Sequence, residues 1–254
     1  MPDNSRVNPP APIILRPLTL AAPLSWLVLG WRDFIRAPLI GLFYGACFMV
    51  MGWALLKVYE HAPVYTLALS AGFLLMGPFL CLGLYRVSQR LESGEKPDFG
   101  DSLLAWQTRT SQLAIFGLVL LVLEMLWGRA TLVIFAVSFD GMPDFKGSLL
   151  ALLSPDNLPF IVAWAGVGAI FAGLIFSISV ISIPMILHRQ TDAVTAALTS
   201  LRLVFTQTAV ALAWGALITT LVVLALLPWF AGLLVVGPVI GHASWHAYRA
   251  AVED

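Results

Sequence analysis

The chain has 254 residues, 59% of them hydrophobic and 11% charged, with a mean hydropathy of +0.90. Soluble chains carry about 25% charged residues, so too little charge is present to cover a water-facing globule, and a soluble enzyme is excluded. Fourteen basic and fourteen acidic residues cancel. Without a basic run there is no nucleic-acid partner, and an apolar composition excludes a disordered chain.

In chain order, residues 1–17 read as a proline-rich, disordered cytoplasmic tail. They lack the basic start and small-residue cleavage site of a signal peptide. Residues 18–254 form a single transmembrane domain. A spanning helix needs roughly 20 apolar residues, and six stretches meet that length: 37–58, 64–85, 111–132, 160–187, 207–227 and 229–248. Trp53, Trp127, Trp164, Trp214 and Trp229 fall near their expected ends, as interfacial aromatics do. Cys47 and Cys81 both lie in apolar stretches, which gives no disulfide framework or zinc ribbon.

The loops set the orientation. Arg6, Arg16, Arg32, Arg36, Arg86, Arg90, Lys96, Arg109, Arg189, Arg202 and Arg249 share one side, eleven of the fourteen basic residues. Lys57, Arg129 and Lys146 take the other. Both termini are therefore expected in the cytoplasm, with the chain multi-pass in a bacterial inner membrane. The outer face is short except around 139–159, where 145–153 has the pattern of a small surface helix.

A shorter amphipathic segment precedes the first, third and fifth stretches. Leu24, Val28, Trp31 and Ile35 recur at helical spacing, as do Phe99, Leu103 and Trp106, and Val194, Leu198, Leu201 and Phe205. Their arginines, Arg32, Arg109 and Arg202, are expected to meet headgroup phosphates. The second helix of each pair holds a proline, Pro78, Pro184 or Pro238, expected to bend it. The fold class that follows is all-α and polytopic. Six transmembrane helices form three parallel helix-hairpin repeats (18–90, 97–189 and 192–249), each preceded by a cytoplasmic amphipathic helix.

Candidate chemistry is sparse. His242 and His246 are four apart and share a helix face, and His188 sits at a similar depth, so a three-histidine metal or haem site is one reading. The other is that interfacial histidines hydrogen-bond at helix ends. No further ligand has the spacing to complete a site, so no metal or cofactor is expected. Glu124 is the one acidic residue well inside an apolar stretch, which marks it for a proton, ion or partner role unless it reaches outer water. Gly41, Gly45, Gly166, Ala169 and Gly173 permit close helix approach, and Ser177, Ser179 and Ser182 read as interhelical hydrogen bonders. Phosphate loops, HExxH and G-x-S-x-G elbows do not occur.

The run GPVIGHASWHAYR at 237–249, with IPMILHR at 183–189 and ALTSLR at 197–202, resembles a family of uncharacterised bacterial six-helix integral membrane proteins. Its closing motif is GHxxWHxYR, and its members are sometimes labelled as similar to cytochrome c oxidase subunit I. The resemblance implies fold and location, with an aspartate expected in the family where His188 stands. On this reading the protein is no enzyme. The lack of catalytic signatures and the small-residue-rich helices lead to the expectation of an accessory, assembly or scaffold subunit of a membrane complex, such as a respiratory one, in contact with lipids and with a membrane partner or its own copies. A small-solute or ion transporter is the alternative, and a haem- or metal-binding electron-transfer protein using His188, His242 and His246 is the third.

Overall fold

The computed structural model describes residues 13–61, 66–138 and 155–253. The segment 145–153, expected as a surface helix, lies outside them. Among the described residues the architecture is all-α, with one isolated bridge. Helix α1 (Ala22–Arg36) leads into α2 (Pro38–His61) and α3 (Thr66–Glu92). The short α4 (Phe99–Leu103) and a 3₁₀ turn (Ala105–Arg109) lead into α5 (Thr110–Ser138). Then follow α6 (Leu158–Ser179), α7 (Ser182–Arg189), α8 (Ala193–Thr206), α9 (Thr208–Leu226) and α10 (Leu233–Ala251).

Four spans among the described residues are long and apolar enough to cross a membrane: Pro38–Val58, Ala105–Ser138, Leu158–Arg189 and Thr208–Leu226. Helices α3 and α10 are not among these four. Composition accounts for α10, which carries His242, His246 and Arg249; α3 is apolar from Thr66 to Gly83 and turns polar only at Arg86, Arg90 and Glu92. The sixth stretch also starts later than expected. Trp229 and Phe230 have positive φ, 53° and 65°, a conformation costly for aromatic residues. The Trp53 indole holds this turn by donating to the Trp229 carbonyl at 2.8 Å.

The three prolines behave differently. Pro184 breaks its helix, because its ring meets the carbonyl four residues back, at Val180, and it has no N–H to give. That is where α6 ends and α7 begins. Pro78 lies inside a continuous α3, and Pro238 lies near the start of α10.

Packing centres on α10, which contacts α1, α2, α3, α7 and α9. Among the amphipathic segments, α1 packs on α10, α4 on α3, and α8 on both α6 and α7. Each thus rests mainly on a helix outside the two long helices that follow it. Their apolar stripes point outward: Leu24, Val28, Trp31 and Ile35 of α1 are exposed, as are Phe99, Leu103 and Trp106, and Val194, Leu198 and Phe205. The buried faces mix aromatic, aliphatic, small and polar groups, Trp26, Gly30, Asp33 and Phe34 in α1 and Ala196, Thr199, Ser200 and Leu203 in α8. The middle segment is a single helical turn and a 3₁₀ turn rather than a full helix. Asp98 and Asp192 cap α4 and α8 by accepting from the Asp101 and Thr195 amides at 2.7 and 2.9 Å.

The buried core lies at the end of the bundle where the chain ends meet. Leu82, Tyr85, Phe116, Ile183, Met185, Trp245 and Tyr248 form one cluster. Trp26, Trp214 and Ala243 belong to a second, with the two indoles edge to face at 5.5 Å. Trp214 is therefore a core residue and not the interfacial aromatic expected. The tail expected through residue 17 also ends earlier. Leu15 pairs antiparallel with Val252, and Gln207 binds the Leu18 amide and the Arg16 carbonyl at 2.6 and 2.8 Å.

Two glycines set the distance to α10. A Cβ on Gly30 would sit 2.6 Å from the Val239 carbonyl oxygen, and one on Gly45 would collide with the Leu234 carbonyl. Gly41 meets only the Phe34 ring of its neighbour α1, whereas Gly166 and Gly173 have open space. The close approach expected along α6 is absent within the described chain. Gly30→Leu and Gly45→Leu are each expected to cost about 1–3 kcal/mol or more through overpacking against backbone, read as a lower melting temperature in detergent. Gly166→Leu should leave that temperature unchanged.

Candidate functional site

The three histidines expected to converge are divided among separate ties. His246 on α10 bonds Asp33 of α1 through Nε2 at 2.8 Å. His242, one turn earlier and fully buried, meets the Ser88 hydroxyl of α3 through Nδ1 at 2.8 Å. His188 of α7 meets the Tyr248 hydroxyl at 2.8 Å, and its ring stands edge-on to Trp245. Among the described residues no group of three or more His, Cys, Asp or Glu side chains has metal-binding geometry.

The first two ties form one buried polar cluster where α1, α3 and α10 cross. Asp33 and Ser88 are both buried, and the His242 Nε2 has no hydrogen-bond partner among the described residues. A hydroxyl beside an imidazole can serve as a nucleophile only where substrate reaches it. Ser88 and His242 expose no surface, so this pair fixes the crossing of helices. Sequence reasoning missed Asp33 and Ser88. Asp33 did carry a signal, since it stands one turn from Gly30 on the face opposite the apolar stripe. Ser88 carried none.

Around this cluster the charges at the same end are also paired. Asp101 accepts from Arg86 and Arg90 at 2.9 and 2.7 Å, which ties α4 to α3. Glu92 accepts from the Trp245 indole and from Arg249, both at 3.0 Å. Arg109 does not reach outward as expected. It donates to the Gln190 and Thr191 carbonyls that follow α7, while Arg32 and Arg202 are exposed. The serines of the α6–α7 region also depart from expectation. Ser177, Ser179 and Ser182 each donate to the carbonyl four residues back in their own chain segment. The interhelical bond there comes from Ser200 of α8, which donates to the Ser177 carbonyl at 2.8 Å.

Glu124 stands apart from these ties. It lies fourteen residues from each end of α5, roughly 21 Å from either end at helical rise. The Glu124 side chain is buried rather than at the surface, and it makes no pair with Arg129, which is exposed. Glu124 makes no ion pair or hydrogen bond among the described residues. An unpaired charge at the centre of a spanning helix costs about 2.5–3.5 kcal/mol on insertion scales. Thr131 of the same helix also has a buried hydroxyl without a partner among the described residues.

A chain whose described residues are all-α and include four helices of membrane-crossing length and apolarity is an integral membrane protein. Residues 66–188 match the family model described as "Predicted integral membrane protein (DUF2189)", and over that stretch the chain is similar to that family. No curated protein and no solved structure matches the chain.

Asp33 is held below its ordinary value of 3.8. Burial alone pushes it up, but hydrogen bonds with His246 and Ser88 and the nearby imidazoles outweigh that. The sign follows from linkage: stability from this carboxylate is complete above the ordinary value and is lost as pH falls through the depressed one. Asp33→Asn is expected to cost about 1.5–3 kcal/mol at neutral pH, the range for a hydrogen bond to a charged group. It should also flatten the acid side of a melting-temperature profile. A variant profile parallel to the wild type below pH ~4 would show that the Asp33 carboxylate contributes nothing there.

Proposed function

We propose that the protein is an accessory, assembly or scaffold subunit of another complex in the bacterial inner membrane, without a catalytic centre of its own. The observation that carries this reading is α6. It has no buried residue, and Gly166 and Gly173 lie open on it. In lipid, helices associate through small residues that let backbones approach, so α6 offers a lateral surface suited to a partner helix or a second copy. The polar residues at the candidate site are engaged in ties within the chain, which supports a structural rather than a chemical role.

In this reading the chain crosses six times, through α2, α3, α5, the broken pair α6 and α7, α9, and α10. The eleven-to-three split of basic residues supports cytoplasmic termini. The threefold repeat is supported by the shared placement of α1, α4 and α8 on returning helices and by their outward apolar stripes, which suit acyl chains at the interface. A transporter remains the second reading, and the buried, unpaired Glu124 favours it.

Native mass spectrometry from mild detergent tests the proposal. The wild type should run as a hetero-complex or homo-oligomer, and Gly166→Leu with Gly173→Leu should weaken that association about tenfold or more by blocking close approach. A monomer that is unchanged by the substitutions would sink the scaffold reading. Reporter fusions at the C-terminus should be active in the cytoplasm; periplasmic activity would overturn the topology.

A further inference from the structure

We infer that Glu124 is a proton-exchanging carboxyl, reached by water from the Ser138 end of α5 along the face that carries Gly128 and Thr131. Three observations on one helix face carry this. Glu124 is 6% exposed and has no hydrogen-bond or ion-pair partner among the described residues. One turn on, a Cβ added at Gly128 would meet no described atom within 4 Å. Two turns on, the Thr131 hydroxyl is buried and equally without a partner among the described residues. Positions 124, 128 and 131 follow the i, i+4, i+7 spacing of a single stripe.

Threonine in an apolar helix normally satisfies its hydroxyl on the carbonyl one turn back, as Thr199, Thr208 and Thr219 do here. Thr131 does not. A buried hydroxyl and a buried carboxyl left without protein partners, with space between them, are the pattern of groups that bind water. Other charges do not set the state of the carboxyl. No ionisable side chain among the described residues of α3, α6, α7 or α8 acts on Glu124, and Arg129 of its own helix is exposed and off the stripe. A proton is the ligand that neutralises a lone carboxylate in such a site, and water along the stripe carries it in and out. The inference goes beyond the scaffold reading and does not depend on it.

The test uses the full chain in sealed proteoliposomes, with Cys47 and Cys81 replaced by serine. Single cysteines are placed as Gly128→Cys and Thr131→Cys, with Leu121→Cys on the exposed apolar face as control. Val137→Cys marks which side the Ser138 end faces. Thiols react as thiolates, which form where water reaches, so a membrane-impermeant thiosulfonate should modify positions 128 and 131 about tenfold faster than 121, and only from the side that modifies 137. In parallel, dicyclohexylcarbodiimide should modify Glu124 in the cysteine-free chain, at a rate that falls as bulk pH rises, while Glu124→Gln gives no product. Gly128→Leu and Thr131→Val, checked for unchanged elution on size exclusion, should make that rate insensitive to pH. Slow thiol reaction at both 128 and 131, or carbodiimide labelling of the parent chain that ignores pH, overturns the inference.

Discussion

The structure depends on how closely α1 and α2 approach α10. Pro238 cannot donate to the Leu234 carbonyl, which is therefore released from its helix. Gly45 of α2 stands against that oxygen, and Gly30 of α1 stands against the Val239 carbonyl. Contacts of a glycine Cα–H with a carbonyl are individually weak, but they allow two helix backbones to come within reach of α10. Once that approach is made, Asp33 can reach His246 and Ser88 can reach His242. The aromatic pair Trp245 and Tyr248 then turns toward the core formed with α3, α5 and α7.

The remaining polar groups follow from scarcity. In an apolar medium each unsatisfied donor or acceptor is costly, and this chain has few with which to satisfy the rest. Serines on α6 and α7 therefore return to their own backbone. Arg109 covers carbonyls left free where α7 ends, and Gln207 serves both an amide and a carbonyl of the N-terminal segment. The result is a bundle tightly joined at one end and loosely packed along α6. Glu124 belongs to neither part, since it is buried without a tie.

Much of the helical layout was legible in the sequence, because membrane thickness imposes length and helical period imposes the amphipathic stripes. Other features were not. The stripe of α1 could be read, but not that the protein would bury the opposite face, since lipid competes with the core for apolar side chains. The partner of His246 lies 213 residues away, a distance at which local pattern carries no information. Pro78, Pro184 and Pro238 look alike in sequence, and only neighbouring helices decide that one breaks the helix while another lies inside an unbroken one. The stretch 229–248 is interrupted by glycine and proline at 237 and 238. Those same residues are what place α10 at the centre.

The pairing of α1 with α10 also has a consequence for how the protein is made. Gly30 and Val239 are separated by 209 residues, which at ribosomal speeds of about 5–20 residues per second is on the order of 10–40 s of synthesis. Through that interval α1 exists without the helix that accepts it, with Asp33 unpaired and its narrow face uncovered. Its outward row of Leu24, Val28, Trp31 and Ile35 provides a holding place, because an amphipathic helix can rest on the bilayer surface before it has a protein neighbour. The order of assembly is thus reversed relative to the order of translation: α1 docks only after α10 has been made, and the bridge between Leu15 and Val252 closes behind it.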